Sequence, residues 1–512
     1  MPSFDLRHEP WIPVRYVPDA VGPPAVGFTD LFLRAHQIAD ICVPVPPAAS
    51  GLWRVLYLIT ARVAGLDDPG EWARYDRWKL ARNQAFAAGR FDQQAVEAYF
   101  SRYAGRFSLF DPVRPWLQDP RLAAECGKST GVNKLVMSRA TGNNLVWLSH
   151  DTDLAPDPVP TAEAAWHLVS WLYYGPSGRI TARTVSGQTE SNMTAGPLRS
   201  RISFHPLGRT LHESLIAGLV HPGRYDSGTD RDLAPWEAGP LADPLGRPPY
   251  PAGLSGPLTG RFRHAVLLSP SPDGATVTDA RITWAWRHPS PDILDPYLIY
   301  DTARTTDVPY ALYARLDRAV WRDLDSLMLQ DAGTGASRRP LVFTTVLDEP
   351  AEVTGALRIR AIGFDQDGQT IDRQWFTAAT PPVLTVNEDG QYRLGYPMRA
   401  AREAAERVGQ NLQNALRRAW AAIDAGDGPW EARGMTRYWA GAEDRFWEMV
   451  DNDDYGSPDN RFIRVAIRAF EHTTSQHEMR GPRIIRAVEK ARGGISASWD
   501  RAEPDPAEAD SA

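Results

Sequence analysis

A polar, positively charged loop between residues 106 and 150 contains the side chains best suited to bind an anion. Two of the chain's four lysines, Lys128 and Lys134, lie in this loop and Arg139 follows them, although arginine outnumbers lysine in the chain by 52 to four. Glycine lets backbone N–H groups approach a ligand closely, and cationic side chains neutralise phosphate. The pattern predicts an anion-binding loop over 128–144. An ordinary surface loop has the same composition, and the residues alone leave both interpretations open.

A short glycine-containing segment follows a predicted helix over residues 162–174. It consists of Gly175, Pro176, Ser177, Gly178 and Arg179. One interpretation is a flat stretch of backbone that lets a duplex groove come close. The other is a plain helix end followed by a turn.

Alternating apolar and cationic residues from Leu357 onwards predict a β-hairpin with one apolar face. Its turn is predicted to be the two-residue type I′ turn Asp367-Gly368, because both central positions of that turn require positive φ. Gln366 and Gln369 flank the turn, and their amides suit hydrogen bonding to bases while the tip parts them. A plain solvent-exposed hairpin shows the same pattern.

The C-terminal part of the chain is dominated by helical patterns. Four amphipathic segments with short connections predict an antiparallel four-helix bundle, over residues 398–425, 436–450, 460–478 and 482–492. Between residues 461 and 492 there are eight basic and three acidic residues. Arg464 and Arg468 lie one helical turn apart and share a face. A surface for a nucleic-acid backbone and a plain solvated helix face both fit this bias.

Length and composition limit the class of protein. With 512 residues, of which 43% are hydrophobic, the chain is long enough for two or three domains. A net charge of −7 argues against a general nucleic-acid coat, although local patches decide binding. Cys42 and Cys126 form no CxxC pair, which fits a reducing compartment. The P-loop, GxGxxG, HExxH and GxSxG motifs are absent, so we expect neither catalysis nor a cofactor or metal site.

The predicted fold class is α+β. A large mixed domain with irregular loops and small sheets is expected over residues 1–390, the four-helix bundle over 391–500, and a disordered acidic tail over 501–512. The sequence shows no signal peptide and no run of about 20 apolar residues that could span a bilayer. A cytoplasmic protein that does not enter membranes is therefore expected.

Several short blocks resemble, in their order and spacing, the CasA family, the large subunit of the type I-E CRISPR surveillance complex Cascade. They are Phe4-Asp5-Leu6 with residues 9–14 (EPWIPV), residues 107–112 (FSLFDP) with 114–118 (RPWLQ), Gly142-Asn143-Asn144 leading to His150, Pro235-Trp236-Glu237, and Leu258-Thr259 with Arg261. The resemblance covers nearly the whole chain, including the bundle. It implies a non-enzymatic subunit that recognises the protospacer-adjacent motif in double-stranded DNA, helps to open the duplex for crRNA pairing, and docks the helicase–nuclease.

The resemblance also implies roles for the loops. A loop that holds the crRNA end and a neighbouring Cascade subunit corresponds to Lys128, Asn133, Lys134, Arg139, Asn143, Asn144, Trp147, Leu148 and Ser149. The segment Gly175–Arg179 matches the family's glycine loop, although Pro176 removes one N–H donor. The hairpin tip Gln366–Gln369 matches a DNA wedge, with Gln369 favoured over Gln366. The family's minor-groove lysine has no lysine counterpart here, and Arg261 or Arg263 is the candidate replacement.

Two other functions remain compatible with the residues. One is a scaffold subunit of a ribonucleoprotein that never contacts DNA. The other is a metal-free hydrolase whose site is assembled in space rather than along the sequence.

Overall fold

The chain folds into two compact units. The computed structural model describes residues 2–142, 149–302, 308–329, 339–367, 371–387, 389–422, 428–478 and 481–496, so the predicted tail over 501–512 lies outside the described residues. The first unit contains Met1–Leu316 and Gln330–Tyr392, and the second contains Asp317–Leu329 and Arg393–Ala512. The linear boundary predicted at residue 390 therefore leaves Asp317–Leu329 out of the unit to which it belongs.

Small antiparallel sheets frame the first unit. The strands are β1 (Ile12–Tyr16), β2 (Ala25–Val26), β3 (Ile38–Ile41), β4 (Val159–Pro160), β5 (Gly178–Val185), β6 (Gln188–Met193), β7 (Ile202–Leu207), β8 (His264–Pro270), β9 (Thr276–Trp284), β10 (Tyr300–Thr302), β11 (Pro309–Ala311), β12 (Arg358–Gln366) and β13 (Asp372–Ala379). They pair in the orders β2-β1-β3, β4-β9-β8, β13-β12-β7, β5-β6 and β10-β11. The hairpin strands β12 and β13 are thus attached to the rest of the unit through β7.

Helices pack between and around these sheets. In chain order they are α1 (Phe28–Leu33), α2 (Pro46–Val63), α3 (Tyr75–Ala87), α4 (Gln93–Arg102), α5 (Leu122–Glu125), α6 (Val132–Leu135), α7 (Thr161–Tyr174), α8 (Leu211–Ala217), α9 (Ser255–Thr259), α10 (Leu324–Met328), α11 (Leu341–Val346), α12 (Ala351–Thr354), α13 (Gly395–Ala421), α14 (Pro429–Asp451), α15 (Pro458–Glu478) and α16 (Pro482–Ser496). Helix α2 is buried on nearly every side and packs against α7. Together α2 and α7 form the centre of the first unit.

A fully buried ion pair lies in this centre. Arg54 on α2 and Asp295 are both 0% exposed at their side chains. The Arg54 Nε donates to Asp295 Oδ2 over 2.9 Å, and its Nη2 donates to Oδ1 over 3.0 Å. Such two-point geometry offsets part of the cost of removing both charges from water.

The second unit is a helical bundle. Helix α13 packs against each of α14, α15 and α16. Helices α14, α15 and α16 all begin at a proline, whose missing N–H is unneeded at the first helical position. The segment Asp317–Leu329 joins this unit through Trp321, which stacks on Phe446 of α14 with ring centroids 4.7 Å apart. The predicted α+β class, with small sheets followed by a C-terminal helical cluster, is confirmed.

Buried histidines make the first unit sensitive to acid. Burial lowers the pKa of His167, His212 and His264 to about 4, whereas an unfolded chain titrates near pH 6.5. Between these values the unfolded chain binds more protons, so the free energy of unfolding must fall as the pH drops. We expect a loss on the order of 2 to 3 kcal/mol for each histidine.

Urea unfolding at several pH values from about 7 to about 4.5 measures this dependence. His212→Phe should flatten the curve, because its ring is buried against Phe91. His472→Gln serves as the matched control, since His472 is exposed on α15 and its replacement should leave the curve unchanged. Equal curves for both variants and the parent chain would contradict the prediction.

Candidate nucleic-acid interface

The start of the predicted anchoring loop is fixed to two strands. The N–H groups of Thr130 and Gly131 both donate to the carbonyl of Ala280 on β9, over 2.8 and 3.2 Å. The hydroxyl of Thr130 lies 2.8 Å from that of Thr181 on β5 and accepts the N–H of Ile282 over 2.8 Å. The glycine and threonine of this loop therefore attach it to the protein, while Lys128 beside them is exposed.

Asn133 and Arg139 stabilise the loop from within. The buried Asn133 donates to the carbonyl of Thr152 over 3.0 Å and accepts from Arg139 Nη1 over 3.2 Å. Arg139 also donates to the carbonyl of Asp157 over 2.6 Å. At the far end, the Ser149 hydroxyl donates to Asp151 over 2.6 Å. Among the remaining predicted loop residues, Asn143, Asn144, Trp147 and Leu148 lie outside the described residues.

The glycine loop leaves α7 as extended chain. Gly175 has φ −54° and ψ 146°, and its Cα faces a crowded site, because a Cβ there would lie 2.7 Å from the Trp171 carbonyl oxygen. The Pro176 carbonyl accepts from His264 Nε2 over 2.9 Å. Gly178 opens β5 with a φ of +114°, which favours glycine. The exposed residues of the segment are Gly178 and Arg179.

The predicted two-residue turn of the β12–β13 hairpin is wrong. Gln366 pairs with Asp372, and the N–H of Asp367 donates to the carbonyl of Ile371 over 2.9 Å, so the two strands are joined at Asp367 and Ile371 and Gln366 does not pair with Gln369. An irregularity in pairing between Asp365 and Gln366 shifts the register. An extra residue in one strand changes which residues can occupy the turn. Gly368 and Gln369 lie outside the described residues.

Gln366 faces the interior and is unsuited to act as a wedge. Its side chain belongs to a residue that is 5% exposed. Its Oε1 accepts the N–H of Ser200 over 3.1 Å, and its Nε2 donates to Asp372 Oδ1 over 2.7 Å. A side chain held at both ends of its amide has no free group for a base, so of the two glutamines only Gln369 remains a wedge candidate.

A residue that the sequence did not single out joins the glycine loop to the hairpin. Arg199 is 4% exposed, and its guanidinium reaches three segments. Its Nη1 contacts Asp372 over 2.8 Å and donates to the Tyr174 carbonyl at the end of α7 over 3.2 Å. Its Nε and Nη2 donate to the carbonyls of Asp367 and Ile371 over 3.1 and 3.4 Å. The sequence contains no local signal for this role of Arg199. Knowledge that β7 pairs with β12 would have been needed, because that pairing brings residue 199 beside the hairpin.

The three predicted loops meet around a small polar cavity of about 40 Å³. Lys134 and Arg139 contribute from the anchoring loop, Pro176 from the glycine loop and Asp372 from the hairpin base. Trp171 of α7 supports the arrangement by donating its Nε1 proton to the Leu135 carbonyl over 2.8 Å. Burial lowers the pKa of Lys134, and the charge of Asp372 opposes that shift. Segments more than 200 residues apart in sequence are thus brought into one neighbourhood.

The four arginines predicted to contact the DNA backbone differ in how exposed their side chains are and in whether they form ion pairs. Arg261 is turned inward: its side chain is 11% exposed, and its Nη2 is paired with Asp295 over 2.7 Å. Arg263 is half-buried, and its Nε has no hydrogen-bond partner within the described ranges. Arg464 and Arg468 are exposed on α15, and neither forms an ion pair with any described residue.

The described residues contain neither a candidate membrane span nor a candidate metal site. No described helix is long and apolar enough to cross a membrane. In the same residues, histidine, cysteine, aspartate and glutamate side chains form no group of three or more that could hold a metal ion.

Comparison with known proteins gives a consistent family assignment. The sequence profile of CRISPR-associated protein Cse1 matches residues 5–476. A chain in the structure of a CRISPR RNA-guided surveillance complex is 46% identical with a TM-score of 0.87, covering 97% of this chain and 100% of that chain. A chain from such a complex in a pre-nicking state is 44% identical with a TM-score of 0.80, covering 99% and 100%.

Comparison with more distant relatives points to the same family. The CRISPR-associated protein CasA/Cse1 of Thermus thermophilus is 32% identical over 265 residues, which are 51% of this chain and 47% of that protein. The match thus spans about half the length of this curated relative. The solved structure of Thermus thermophilus CasA (Cse1) has a TM-score of 0.72 at 20% identity, covering 98% of this chain and 100% of that chain, and shows the shared fold. The chain belongs to the Cse1 (CasA) family of CRISPR-associated proteins.

Proposed function

We propose that this protein is the large subunit of a CRISPR Cascade complex that acts in antiviral defence in the cytoplasm. In this role it recognises the protospacer-adjacent motif in double-stranded DNA, helps to open the duplex for crRNA pairing, and recruits the helicase–nuclease. Its partners are the other Cascade subunits, crRNA, target DNA and the nuclease, and it needs no cofactor and performs no catalysis. The observation that carries the proposal is the meeting of the anchoring loop, the glycine loop and the hairpin base around Lys134, Pro176 and Asp372.

The physical steps follow from these three loops. The minor groove offers a degenerate donor and acceptor pattern, so a short motif is read there partly through shape. The extended backbone at Gly175–Arg179 suits close approach to a groove. A wedge at the hairpin tip then unstacks one base step at a cost of about a few kcal/mol. Guide pairing takes over afterwards, in a nearly balanced exchange of one duplex for another.

The wedge assignment predicts different effects for the two glutamines. Gln369→Ala in the assembled complex should reduce R-loop formation on a supercoiled target by on the order of tenfold, with unchanged thermal unfolding of the free chain. Gln366→Ala should instead lower the free energy of unfolding by about 1–3 kcal/mol, because the buried N–H of Ser200 loses its acceptor.

Gln188→Ala provides the matched control. Gln188 is an exposed glutamine at the turn end of the neighbouring β5–β6 hairpin. Its replacement should change neither R-loop formation nor stability. If Gln369→Ala forms R-loops as fast as Gln188→Ala, the hairpin tip is not the wedge.

Crosslinking separates DNA readout from a purely structural role. A photoreactive amino acid at Arg179, which is exposed at the start of β5, should give adducts with duplex DNA carrying the motif. The same group at the exposed Arg77 of α3 should give none. Equal or absent adducts at both positions would favour a scaffold subunit.

A further inference from the structure

A larger cavity in the first unit is not used by the interface loops. It has a volume of about 210 Å³ and is open to the surface. Its walls are mainly apolar, formed by Trp116, Leu172, Trp236, Leu241, Phe262 and Trp286. Leu241 and Trp286 are only partly covered, so the apolar lining extends to the mouth.

Three arginines also line this cavity: Arg106, Arg114 and Arg121. Arg121 is neutralised by Asp119 over 2.8 Å. Arg114 donates to the backbone carbonyls of Ala238 and Gly239, and no described carboxylate forms an ion pair with Arg114 or Arg106. Burial, followed by the charges of Arg106 and Arg121, lowers the pKa of Arg114. The cavity therefore carries two arginines that form no ion pair with a described carboxylate, although the charge of Asp111 acts on the pKa of Arg114 in the opposite direction.

The size of the cavity indicates what kind of group enters it. Pockets for drug-sized molecules and cofactors occupy about 300–1,000 Å³, so a volume of about 210 Å³ suits a single large side chain. Rigid aromatic and proline walls with nearby arginines are typical of a pocket that receives one anchoring residue of a protein partner.

We infer that this cavity is a docking site for an acidic segment of a partner polypeptide, which inserts one aromatic side chain and places its carboxylates on Arg106 and Arg114. The aromatic ring buries apolar surface against Trp236 and Phe262. The carboxylates pair with two guanidinium groups that form no ion pair with a described carboxylate. This inference is independent of the DNA-binding proposal, because it uses none of the loops assigned to DNA.

A defined peptide tests the inference on the full chain. The probe is the blocked peptide Asp-Glu-Phe-Asp-Glu with 4-fluorophenylalanine at its centre, observed by fluorine NMR and by calorimetry. We expect saturable one-to-one binding with a shifted fluorine resonance. A peptide with lysine in place of all four acids, and a peptide with alanine in place of the aromatic residue, should each bind at least about tenfold more weakly.

Two variants locate the binding. Arg106→Glu reverses a charge that has no internal ion-pair partner in the described structure, and Trp286→Ala removes part of the apolar mouth. Each should weaken the acidic peptide at least about tenfold without changing thermal unfolding. Arg77→Glu, on exposed surface of α3, should bind like the parent chain. Equal affinity for the acidic and basic peptides, or unchanged binding by both cavity variants, would overturn the inference.

Discussion

Replacing Arg199 with alanine is expected to impair duplex opening more than removal of any exposed cation at the interface. The variant removes the donor shared by Asp372 and the carbonyls of Tyr174, Asp367 and Ile371. Since Asp372 keeps some contact with solvent, we expect the hairpin to lose about 2–3 kcal/mol of local stability. The tip would then be held loosely relative to the glycine loop, and the unstacking of a base step would no longer be supported by a rigid body.

Hydrogen exchange and R-loop kinetics measure the two consequences. Amides at the β12–β13 end, such as that of Asp367, should exchange about 30- to 150-fold faster, matching the loss of local stability. R-loop formation in the assembled complex should fall in the same variant. Arg179→Ala is the control for charge, because Arg179 is exposed and does not reach the hairpin.

Arg199→Lys sharpens the test of the positioning role. Lysine keeps the charge beside Asp372 but lacks the planar fork that reaches several acceptors at once. It should restore stability more than it restores R-loop formation. Full activity of Arg199→Ala with fast hairpin exchange would show that opening does not need a fixed hairpin.

The largest effect on folding is expected at the buried pair of α2. Arg54→Ala leaves Asp295 fully buried with Arg261 as its remaining ion-pair partner, at 2.7 Å. Removing one member of a buried pair costs about 3–5 kcal/mol. Because Arg261 still pairs with Asp295, we expect the lower end of that range, from the two hydrogen bonds that Arg54 no longer donates to the buried carboxylate. The midpoint of urea unfolding should fall accordingly. An equal midpoint for parent and variant would contradict this expectation.

Two further variants control for charge and for packing. Arg74→Ala removes an arginine whose partner Asp76 is equally exposed, so its midpoint should not change measurably. Arg54→Met removes the same charge while retaining much of the side-chain volume, and it leaves the Asp295–Arg261 pair in place. This variant should be more stable than Arg54→Ala, because a smaller cavity remains beside Asp295.

Regular patterns explain what could be predicted from the sequence. Apolar residues at helical spacing gave the helices of the bundle, with differences of a few residues at most ends. The start of α14 differs more, because the helix begins at Pro429 rather than at residue 436. The alternation after Leu357 gave β12 and β13. These features are local, so the sequence expresses them directly.

The family resemblance has a physical basis in packing. Its aromatic positions, far apart along the chain, contact one another: Trp11 lies 5.8 Å from Trp116, and Phe107 lies 6.0 Å from Trp236, between ring centroids. Aromatic residues from three of the blocks that identify the family thus form one cluster in the core of the first unit. This cluster supports the fold, whereas the residues proposed to contact DNA lie on separate loops.

Whether a polar side chain is buried or exposed depends on tertiary contacts that the sequence does not reveal. The shift in strand pairing between Asp365 and Gln366 pairs Gln366 with Asp372, and the Gln366 side chain is buried. Arg261 and Arg199 resemble any other arginine until the fold brings Asp295 and Asp372 beside them. With 52 arginines in the chain, composition cannot distinguish a buried structural arginine from one that is free to meet phosphate.

The placement of Asp317–Leu329 limits how the two units can be separated. Because this segment belongs to the bundle while the chain on both sides belongs to the first unit, the polypeptide crosses between units three times. A truncation after Tyr392 would keep Trp321, Leu324 and Leu327 but delete α13 and α14, against which this segment packs. Those apolar side chains would then face solvent, and the shortened protein would tend to aggregate. Isolation of either unit therefore requires excision of residues 317–329 with a linker in their place, or a circular permutation that joins them to the bundle.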